Sequence, residues 1–403
     1  MKTVIIGAGA AGLTAASQIK NGGILVLEKN EKPGKKLYIT GKGRCNVTNE
    51  CGPSEFIEKV NSNPKFLTSA INAFSPRDAI EFLEQNGCPT VTERGNRVFP
   101  ASQKASDVTK ALVRAAENAG AQIMYNTAVK SVSQTENGFA VLTSAGEIFC
   151  DNLIIATGGL SYPSTGSTGD GYKFAAALGH TVVPPVPSLV RIDLKEDVSA
   201  LTGLSLKNVG ASVKDKRSGK VLFSQFGELL FTDAGVSGPA VLTLSAKINR
   251  ADPSGLLFCI DLKPALTPEK LDKRVLSDFS AVQNRALINS LSDLLPKSLI
   301  PYIIDVCGLV GASKVNSLTR AERALLVDGL KNLTFNVKAL GGFSSAVVTA
   351  GGVSVREVCP QTMQSKLVKG LYFAGEILDV DALTGGFNIQ TALSTGFLAG
   401  RSI

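Results

Sequence analysis

Short, unbroken apolar runs recur along the chain and are followed by glycine-rich turns. The clearest of them occupy residues 3–6, 24–27, 152–155 and 370–376. Runs of this kind are typical of parallel strands that are buried on both faces. Residues 13–20, between the first two runs, have helical character. Buried strands that alternate with helices predict an α/β fold with a mixed, mainly parallel sheet.

The turn after the first run has the pattern G-x-G-x-x-G and carries the first candidate chemistry. Gly7 allows the tight turn, Gly9 lets a pyrophosphate approach the backbone, and Gly12 lets the next helix pack closely on the strand. The positive end of that helix faces the phosphates. Glu28 ends the second run, at the distance where an acidic side chain holds ribose hydroxyls. Strand, turn, helix and acid in this order predict a dinucleotide site.

Three further helices have recognisable starts. Ser75, which is followed by proline, is a predicted N-cap for a helix over residues 77–85. Ser106 is likewise expected to cap a helix that ends at residue 119. A third helix is predicted at residues 170–178, where Asp-Gly opens it.

Four short strands are predicted in the first half of the chain, with turn signals between them. Asn-Gly at 137–138 and Ala-Gly at 145–146 are typical of hairpin turns. The predicted strands are residues 121–125, 128–134, 139–144 and 147–150. Together they predict one small antiparallel unit beside the parallel sheet.

A Pro-Pro-Val-Pro run at residues 184–187 is the clearest domain boundary. Beyond it the pattern is strand-like to about residue 261 and then mostly helical to residue 333. The sheet pattern resumes at residue 335. The sequence therefore predicts a nucleotide-binding domain with an inserted β-rich domain and an inserted helical domain, at residues 1–187 plus 335–403, 188–264 and 265–334, respectively.

Two polar loops follow the first nucleotide-binding unit. The basic loop at residues 29–36 is expected to place Lys29 or Lys36 near the adenosine end of the ligand, the alternative being a solvated surface turn. The next loop, GKGRCNVTN, begins at Gly41. In it, Arg44 can supply a fixed cation and Asn46 can hydrogen-bond a heteroaromatic edge.

Composition restricts the class of protein. The chain is 44% apolar and 19% charged and has no 18-residue apolar run, so a protein without membrane spans is expected. Seven cysteines without paired C-x-x-C spacing favour reduced thiols and a cytoplasmic location. The net charge of +8 raises the question of nucleic acid, but the basic residues are spread along the chain, so nucleic-acid binding is not favoured.

Histidine and cysteine chemistry is also disfavoured. His180 is the only histidine, so no Ser-His-Asp triad and no histidine-rich metal site can be assembled, and His180 is expected to cap a helix end. Cys45 and Cys51 are separated by five residues, which is not the spacing of the familiar redox pairs. No metal ligands and no catalytic disulfide are predicted, and the oligomeric state is left open.

These segments together resemble one family, the BaiN-like, aminoacetone-oxidase-like flavoproteins, also called YhiN-type. The match covers nearly the whole chain, and the G-R-C-N-x-T-N run is its most specific part. The residues that carry it are 7–12, 41–49, 165–171, 348–353, 374–376 and 385–388. The resemblance implies bound FAD in a glutathione-reductase-type Rossmann domain that is built from both chain ends, with a β-barrel-like and a helical insertion.

The resemblance also implies site residues. The implied pyrophosphate, ribose and ribityl–flavin contacts are Gly7, Gly9, Ala10, Ala11 and Gly12, then Glu28, then Gly375, Glu376, Asn388 and Ile389. By analogy with flavoproteins, Val129 lies near the adenine through its backbone. Loop and strand-end positions add Lys29, Lys36, Gly43, Arg44, Thr157, Gly158, Asp379, Gly386 and Phe387 as expected cofactor contacts.

Catalytic residues are not identified by the sequence, and the candidates are Arg44, Asn46 and Asn388. Two positions depart from the family pattern. Asp233 stands where histidine is common, and Phe387 stands where tyrosine is common. An acid–base role at the first position and a hydroxyl near the flavin at the second are therefore in doubt.

The expected function is hydride transfer between flavin N5 and a small organic or steroid-like substrate. The leading form is a reductase, as in relatives that act on unsaturated 3-oxo bile acids. No second G-x-G-x-x-G exists for a nicotinamide domain, so NAD(P)H would dock only transiently. An oxygen-using amine oxidase of the aminoacetone type is the first alternative. A flavin-bound RNA-modifying or redox-sensing protein is the second.

Overall fold

The computed structural model describes residues 1–403. Its strands are β1 (Lys2–Ile6), β2 (Gly23–Leu27), β3 (Thr48–Asn49), β4 (Thr90–Glu93), β5 (Arg97–Pro100), β6 (Ala121–Met124), β7 (Val129–Thr135), β8 (Gly138–Thr143), β9 (Gly146–Cys150), β10 (Asn152–Ile155), β11 (Val182–Ser188), β12 (Ile192–Leu194), β13 (Ser205–Asp215), β14 (Val221–Phe231), β15 (Gly235–Ser237), β16 (Leu256–Asp261), β17 (Leu333–Leu340), β18 (Val348–Val353) and β19 (Leu371–Phe373).

The helices come from all parts of the chain. They are α1 (Ala10–Gln18), α2 (Lys35–Ile39), α3 (Pro53–Glu58), α4 (Thr68–Ala73), α5 (Pro76–Gln85), α6 (Ala105–Asn118), α7 (Asp170–Ala177), α8 (Pro239–Ile248), α9 (Pro268–Ser280), α10 (Leu299–Val306), α11 (Arg320–Lys331) and α12 (Phe387–Arg401). The chain divides into two compact units, the first made of residues 1–188 and 342–403 and the second of residues 189–341.

A five-stranded parallel sheet forms the centre of the first unit. Its strand order is β19-β10-β1-β2-β6, and every neighbouring pair runs parallel. Val4 and Ile5 in β1 are fully buried, as are Leu153 and Ile154 in β10. The unbroken apolar runs of the sequence are explained by this burial on both faces. The predicted Rossmann-type parallel sheet is confirmed.

The predicted four-stranded antiparallel unit is wrong in one strand. Residues 129–150 form the antiparallel sheet β7-β8-β9, but β6 joins the parallel sheet and pairs with β2 from Ile24↔Ala121 onward. The 14-residue helix α6 returns the chain to the sheet edge before β6 begins, as in a parallel crossover. The local pattern did not distinguish the two partners.

Helix capping follows the sequence at one site and departs from it at another. Ser75 and Asp78 form the capping box at the start of α5, so that predicted N-cap is confirmed. Ser106 does not cap α6, which begins at Ala105 and has no side-chain cap. A turn in which the Gln103 N–H donates to the Pro100 carbonyl at 2.8 Å precedes α6, and the helix begins two residues earlier than an N-cap at Ser106 would allow. Ser106 therefore lies within the first turn.

The second unit is a closed antiparallel barrel with helices packed on it. The barrel order is β12-β15-β14-β13-β16-β17, and barrel and helices share one apolar core that includes Phe231, Phe258 and Phe335. The β-rich and helical insertions therefore belong to one compact unit. β17 closes the barrel against β12 and β16, so the first unit resumes at residue 342, several residues after the expected boundary at 335.

Helices α1 and α12 approach each other backbone to backbone. A Cβ atom on Gly396 would lie 2.3 Å from the Ala11 carbonyl oxygen, and one on Gly400 would lie 2.1 Å from that of Ala15. The spacing of four residues in both helices places these pairs on facing stripes. No helix in the structure is both long and apolar enough to cross a membrane.

The substitution Gly396→Ala tests this contact. The added methyl group meets a backbone oxygen that cannot rotate away, so the clash outweighs the roughly 1 kcal/mol that alanine gains in helix propensity. We expect the free energy of unfolding of the first unit to fall by about 1–3 kcal/mol in urea titrations.

Gly329→Ala in α11 is the matched control. Its Cβ would meet only the Cys307 sulfur, at 2.4 Å, and a thiol side chain can rotate. This variant is expected to be as stable as the parent or slightly more stable. Equal stability of the parent and Gly396→Ala would contradict the proposed backbone contact.

Candidate cofactor and active site

A cavity of about 390 Å³ opens at the carboxyl ends of the parallel strands in the first unit. The loops that follow β1, β2, β10 and β19 all line it. The strand order reverses between β1 and β10, which is where open α/β sheets leave a crevice for ligands. The cavity is within the usual size range of small-molecule sites.

The glycine turn after β1 is shaped to leave its backbone open to the cavity. Gly7 has a φ of 106°, which favours glycine, and a Cβ on Gly12 would lie 2.0 Å from the Gly7 carbonyl oxygen. At Gly9, by contrast, a Cβ would meet no protein atom within 4 Å. No side chain caps the start of α1. Its first N–H groups are therefore available to an anion.

Glu28 is nearly buried and holds the glycine turn to the next loop. Its Oε2 accepts from the Ala8 N–H at 3.0 Å, and its Oε1 accepts from the backbone and side chain of Asn30 at 2.9 and 2.7 Å. The carboxylate is thus fixed at the cavity wall with lone pairs left over. This geometry suits acceptance of ribose hydroxyls.

Lys36 and Glu376 form an ion pair that lines the same cavity. The Lys36 ammonium also donates to the Ser161 hydroxyl. Glu376 Oε1 accepts from Ser161 Oγ at 2.7 Å and from the Thr349 N–H at 2.9 Å. The network joins four segments that are distant in sequence, and it places a cation and a carboxylate side by side.

The start of α12 is a second uncapped helix N-terminus at the cavity. Gly386, with a φ of 98°, precedes the helix, and a Cβ there would lie 2.4 Å from the Thr48 carbonyl. Asn388 donates to the Ala382 carbonyl at 2.7 Å and accepts from its N–H at 2.9 Å. With its amide oriented to satisfy its neighbours, Asn46 accepts from the Gly386 N–H at 3.1 Å. Both amides therefore hold the loop in place.

Arg44 does not line the cavity. Its guanidinium is 2.8 Å from Glu93 Oε1 and from Gln103 Oε1, and it lies over the Phe99 ring. The residue that follows it has a positive φ of 62°, so the backbone turns sharply there. Glu93, from a distant segment, compensates the charge of Arg44, and the lysines that line the cavity are instead Lys29, Lys35 and Lys36.

Most of the other expected cofactor contacts line the cavity, and some do not. The cavity is lined by Gly7, Gly9, Ala10, Ala11, Glu28, Lys29, Lys36, Val129, Thr157, Gly158, Gly375, Glu376, Gly386, Asn388 and Ile389. It is not lined by Gly12, Gly43, Arg44, Asp379 or Phe387. The Phe387 ring packs edge-on against Phe56, at 5.3 Å between centroids. The ring of residue 387 is buried, so a tyrosine at that position would carry its hydroxyl group on a buried ring.

Several lining residues were not among the contacts expected from the sequence. They include Asn30, Thr40, Gly41, Thr127, Thr165, Asp170, Val347, Val348, Leu383 and Thr384. Asp170 is paired with Lys29 at 2.8 Å, which neutralises that lysine. The polar Ser/Thr/Gly composition of residues 161–171 was the available signal, because such loops commonly meet ligands.

His180 lies away from the cavity. It is nearly buried just beyond the end of α7, where its backbone N–H donates to the Ala175 carbonyl at 3.0 Å, with Nε2 2.8 Å from Ser365 Oγ and the ring edge-on to Phe373. Burial lowers the pKa of His180 and keeps it neutral. Asp233 is highly exposed and lies 3.4 Å from Arg191 in the second unit.

The residues that line the cavity are suited to bind FAD. The open backbone at Gly9 and the uncapped starts of α1 and α12 supply anion sites at two places on the wall. Glu28 and Glu376 supply fixed acceptors for hydroxyl groups. When bound, FAD supplies hydride transfer at its ring, and the protein binds and orients it and sets the local charge.

The seven cysteines are all free thiols. Burial raises the pKa of Cys45 to about 12 and that of Cys51 to about 11. A hydrogen bond from the Thr362 side chain lowers the pKa of Cys359. Because the thiolate is the reactive form, we expect iodoacetamide at pH 8 to label Cys359 well before Cys45 or Cys51, as mapped by mass spectrometry.

The same reasoning predicts that Cys51→Ser leaves the rate of flavin reduction nearly unchanged. For the iodoacetamide experiment, labelling of the unfolded protein is the control, since all seven thiols should then react alike. Loss of turnover in Cys51→Ser with FAD still bound would instead place the protein among disulfide reductases.

Gly9→Val tests the phosphate turn. Position 9 has an extended backbone, and its Cβ would meet no protein atom, so the fold should be unaffected. The side chain would project towards the pyrophosphate position, so FAD binding should be lost while the melting temperature of the apoprotein stays that of the parent. Gly12→Ala is the contrasting variant, because it should destabilise the apoprotein itself. Gly9→Val protein that purifies with bound FAD would refute this assignment of the turn.

Known proteins place these features in one family. The HI0933-like protein Rossmann domain model matches residues 1–402. The chain is 31% identical over 405 residues to a 3-dehydro-bile acid delta(4,6)-reductase from Clostridium scindens, across 99% of this chain and 98% of that protein. It is 32% identical over 412 residues to a ribosomal RNA dihydrouridine synthase from Haemophilus influenzae, across 100% and 98%.

A solved structure shares the fold at low sequence identity. It is a 3-ketosteroid-delta4-(5alpha)-dehydrogenase from Rhodococcus jostii RHA1, with a TM-score of 0.52 and 13% identity over 99% of this chain and 95% of that one. The full-length family match confirms the resemblance drawn from the sequence motifs. The chain belongs to the HI0933-like family of Rossmann-domain proteins and is an FAD-dependent oxidoreductase.

Proposed function

We propose that this enzyme reduces a carbon–carbon double bond conjugated to a carbonyl group, in a small steroid-like substrate, with NAD(P)H as electron donor. The names of the two relatives support a shared reaction class. A 3-oxo-4,6-diene loses a double bond conjugated to its ketone, and uridine loses the C5=C6 bond conjugated to its C4 carbonyl. Both reactions add hydrogen across an activated double bond.

NAD(P)H is sufficient as the only electron donor for this reaction. A hydride adds to the carbon β to the carbonyl, a proton adds to the α carbon, and NAD(P)H leaves as NAD(P)⁺. The absence of a second G-x-G-x-x-G fits a nicotinamide that docks, delivers its hydride and departs. The cavity residues would hold FAD, whose chemistry would link the donor to the substrate.

The observation that carries the proposal is the pair of uncapped helix starts, α1 and α12, at one cavity. The start of α1 suits a pyrophosphate. The start of α12 lies at the part of the wall formed by Gly41, Asn46 and residues 383–386, 388 and 389, where it can stabilise negative charge that develops during hydride transfer. Lys36 adds a cation whose own pairing with Glu376 keeps it in position.

Uridine in RNA is the second candidate substrate. It is favoured by the name of the Haemophilus relative and by the net charge of +8. A basic protein attracts a polyanionic substrate electrostatically, whereas a neutral steroid gains nothing from that charge. The chemistry at the ring would be the same for both substrates.

Anaerobic stopped-flow measurements separate the candidates. NAD(P)H should bleach the visible flavin absorbance, and a 3-oxo-4,6-diene bile acid should then restore it, with a product that carries two additional hydrogens identified by mass spectrometry. Restoration by uridine-containing RNA alone would favour the second candidate. Bleaching by aminoacetone but not by NAD(P)H would refute the proposal and indicate an amine oxidase.

A further inference from the structure

The small sheet β3-β5-β4 carries Arg97 to the margin of the cavity. Arg97 lies directly opposite Asn49 of β3 in the antiparallel ladder, so the two side chains project from the same face of the sheet. The side-chain amide of Asn49 donates to the Gly385 carbonyl at 3.3 Å, and Gly385 lines the cavity beside the start of α12. Arg97 and the cavity wall therefore share Asn49 as a neighbour.

The positive charge of Arg97 has no carboxylate partner. The side chain is exposed and forms no salt bridge. Its Nε atom donates to the Arg94 carbonyl at 3.1 Å, which fixes the direction of the guanidinium. The terminal nitrogens of Arg97 are left for a ligand.

The two nearby glutamates do not compensate this charge. Glu93 lies opposite Arg97 in the hairpin, but its two oxygens accept from Arg44 at 2.8 and 3.3 Å. Glu50 accepts from the Thr92 hydroxyl at 2.6 Å, and Thr92 precedes Glu93 in the strand and so projects from the other face. One guanidinium on this face is thus neutralised, and the guanidinium of Arg97 is not.

Lys42 is a second uncompensated cation at the same margin. It is exposed, forms no salt bridge and has a left-handed backbone with a φ of 59°. Its neighbour Gly41 lines the cavity, and a Cβ on Gly41 would lie 3.4 Å from the Phe99 ring. The Arg97 guanidinium lies 5.9 Å from the centre of that ring. The Lys42 loop and Arg97 therefore meet at one aromatic ring.

Two uncompensated cations beside a cavity suit a ligand that carries negative charge outside it. The guanidinium fork matches the geometry of phosphate oxygens. A nicotinamide dinucleotide carries a pyrophosphate, and the chain has no second G-x-G-x-x-G turn whose backbone could bind it. Cations at the cavity margin supply the charge that such a turn and its helix supply in a dedicated nicotinamide domain.

We infer that Lys42 and Arg97 bind the pyrophosphate of the nicotinamide donor. We call these two residues the donor patch. The nicotinamide ring enters the cavity near the start of α12, and the phosphates stay at the margin. The inference rests on the proposed function, because it needs NAD(P)H as the electron donor.

Anaerobic stopped-flow with the FAD-loaded protein tests the donor patch. NADPH and NADH are titrated separately, and flavin bleaching gives a Kd and a limiting rate for each. Lys42→Gln with Arg97→Gln should raise both Kd values about tenfold, the sum of two exposed charge contacts. The limiting rate should stay that of the parent, since the patch does not touch the reacting atoms. Added salt should raise the parental Kd more steeply than that of the variant, because exposed charges are screened.

Glu93→Gln should change the affinity in the opposite direction. It removes the carboxylate that engages Arg44, so a third cation becomes available on the face that carries Arg97. The Kd for NADPH should fall below that of the parent at low salt, and the difference should disappear at high salt. A hairpin with a purely structural role would not give opposite effects in the two variants.

Arg356→Gln with Lys369→Gln is the matched control. It also removes one guanidinium and one ammonium group from exposed positions of the first unit, and neither residue lines the cavity. This variant should bind both nicotinamides as the parent does. Both double variants should keep the parental melting temperature, because the substituted side chains are at the surface.

Parental Kd values in Lys42→Gln with Arg97→Gln would overturn the inference and leave the proposed function intact. A weaker affinity for the 3-oxo-4,6-diene alone would also overturn it, because the patch would then hold an anionic group of the substrate.

Reoxidation of dithionite-reduced flavin by the diene tests the enone reductase without any nicotinamide. If the diene reoxidises the flavin but neither NADPH nor NADH bleaches it in the parent, the donor patch is refuted and the substrate chemistry is supported. If nicotinamide binding depends on the patch but the diene does not reoxidise the flavin, the donor patch stands and the proposed substrate is wrong.

Discussion

The close packing of α1 on α12 is the contact on which the first unit depends. Two glycines of α12 meet two carbonyl oxygens of α1 at distances that admit no side chain. The N-terminal and C-terminal segments of the chain are thereby fixed to one another across about 380 residues of sequence. Because both helices begin at the same cavity, the contact also fixes the separation of the two anion-binding helix starts. Cofactor binding and folding of this unit thus rest on the same backbone contact.

The electrostatics of the cavity depend on which N–H groups lack a protein partner and which charged side chains form ion pairs. The starts of α1 and α12 have no capping side chains, so their N–H groups can serve a ligand. Lys36 and Glu376, in contrast, neutralise one another at the wall. Arg44, which was the most prominent candidate cation in the sequence, is engaged outside the cavity by Glu93 and Gln103. The protein thus contributes binding, orientation and local charge to the hydride-transfer chemistry that the bound cofactor supplies.

The second unit contributes a different surface chemistry. Its barrel is closed by β17, and its core is separate from that of the first unit. Two 11-residue strands, β13 and β14, form its longest hairpin, and this hairpin bears cations and exposed rings. A barrel that buries its interior fully can present such a hairpin without loss of core.

Local sequence patterns were enough to predict the parallel sheet, the phosphate turn and most of the cavity wall. Gly7, Gly9, Gly12 and Glu28 lie close together in the chain, so their spacing alone fixes their geometry. Strand partners were decided only by the tertiary structure. The run at β6 looks the same whether it pairs with β2 or with β7, and β17 looks the same in either domain, because a strand pattern records burial and not the identity of the neighbour. The orientation of Arg44 was likewise undetermined, since its carboxylate partner lies 49 residues away in sequence. The network of Lys36, Ser161, Thr349 and Glu376 joins four such distant segments, and no local pattern could have predicted that folding brings them together at one wall.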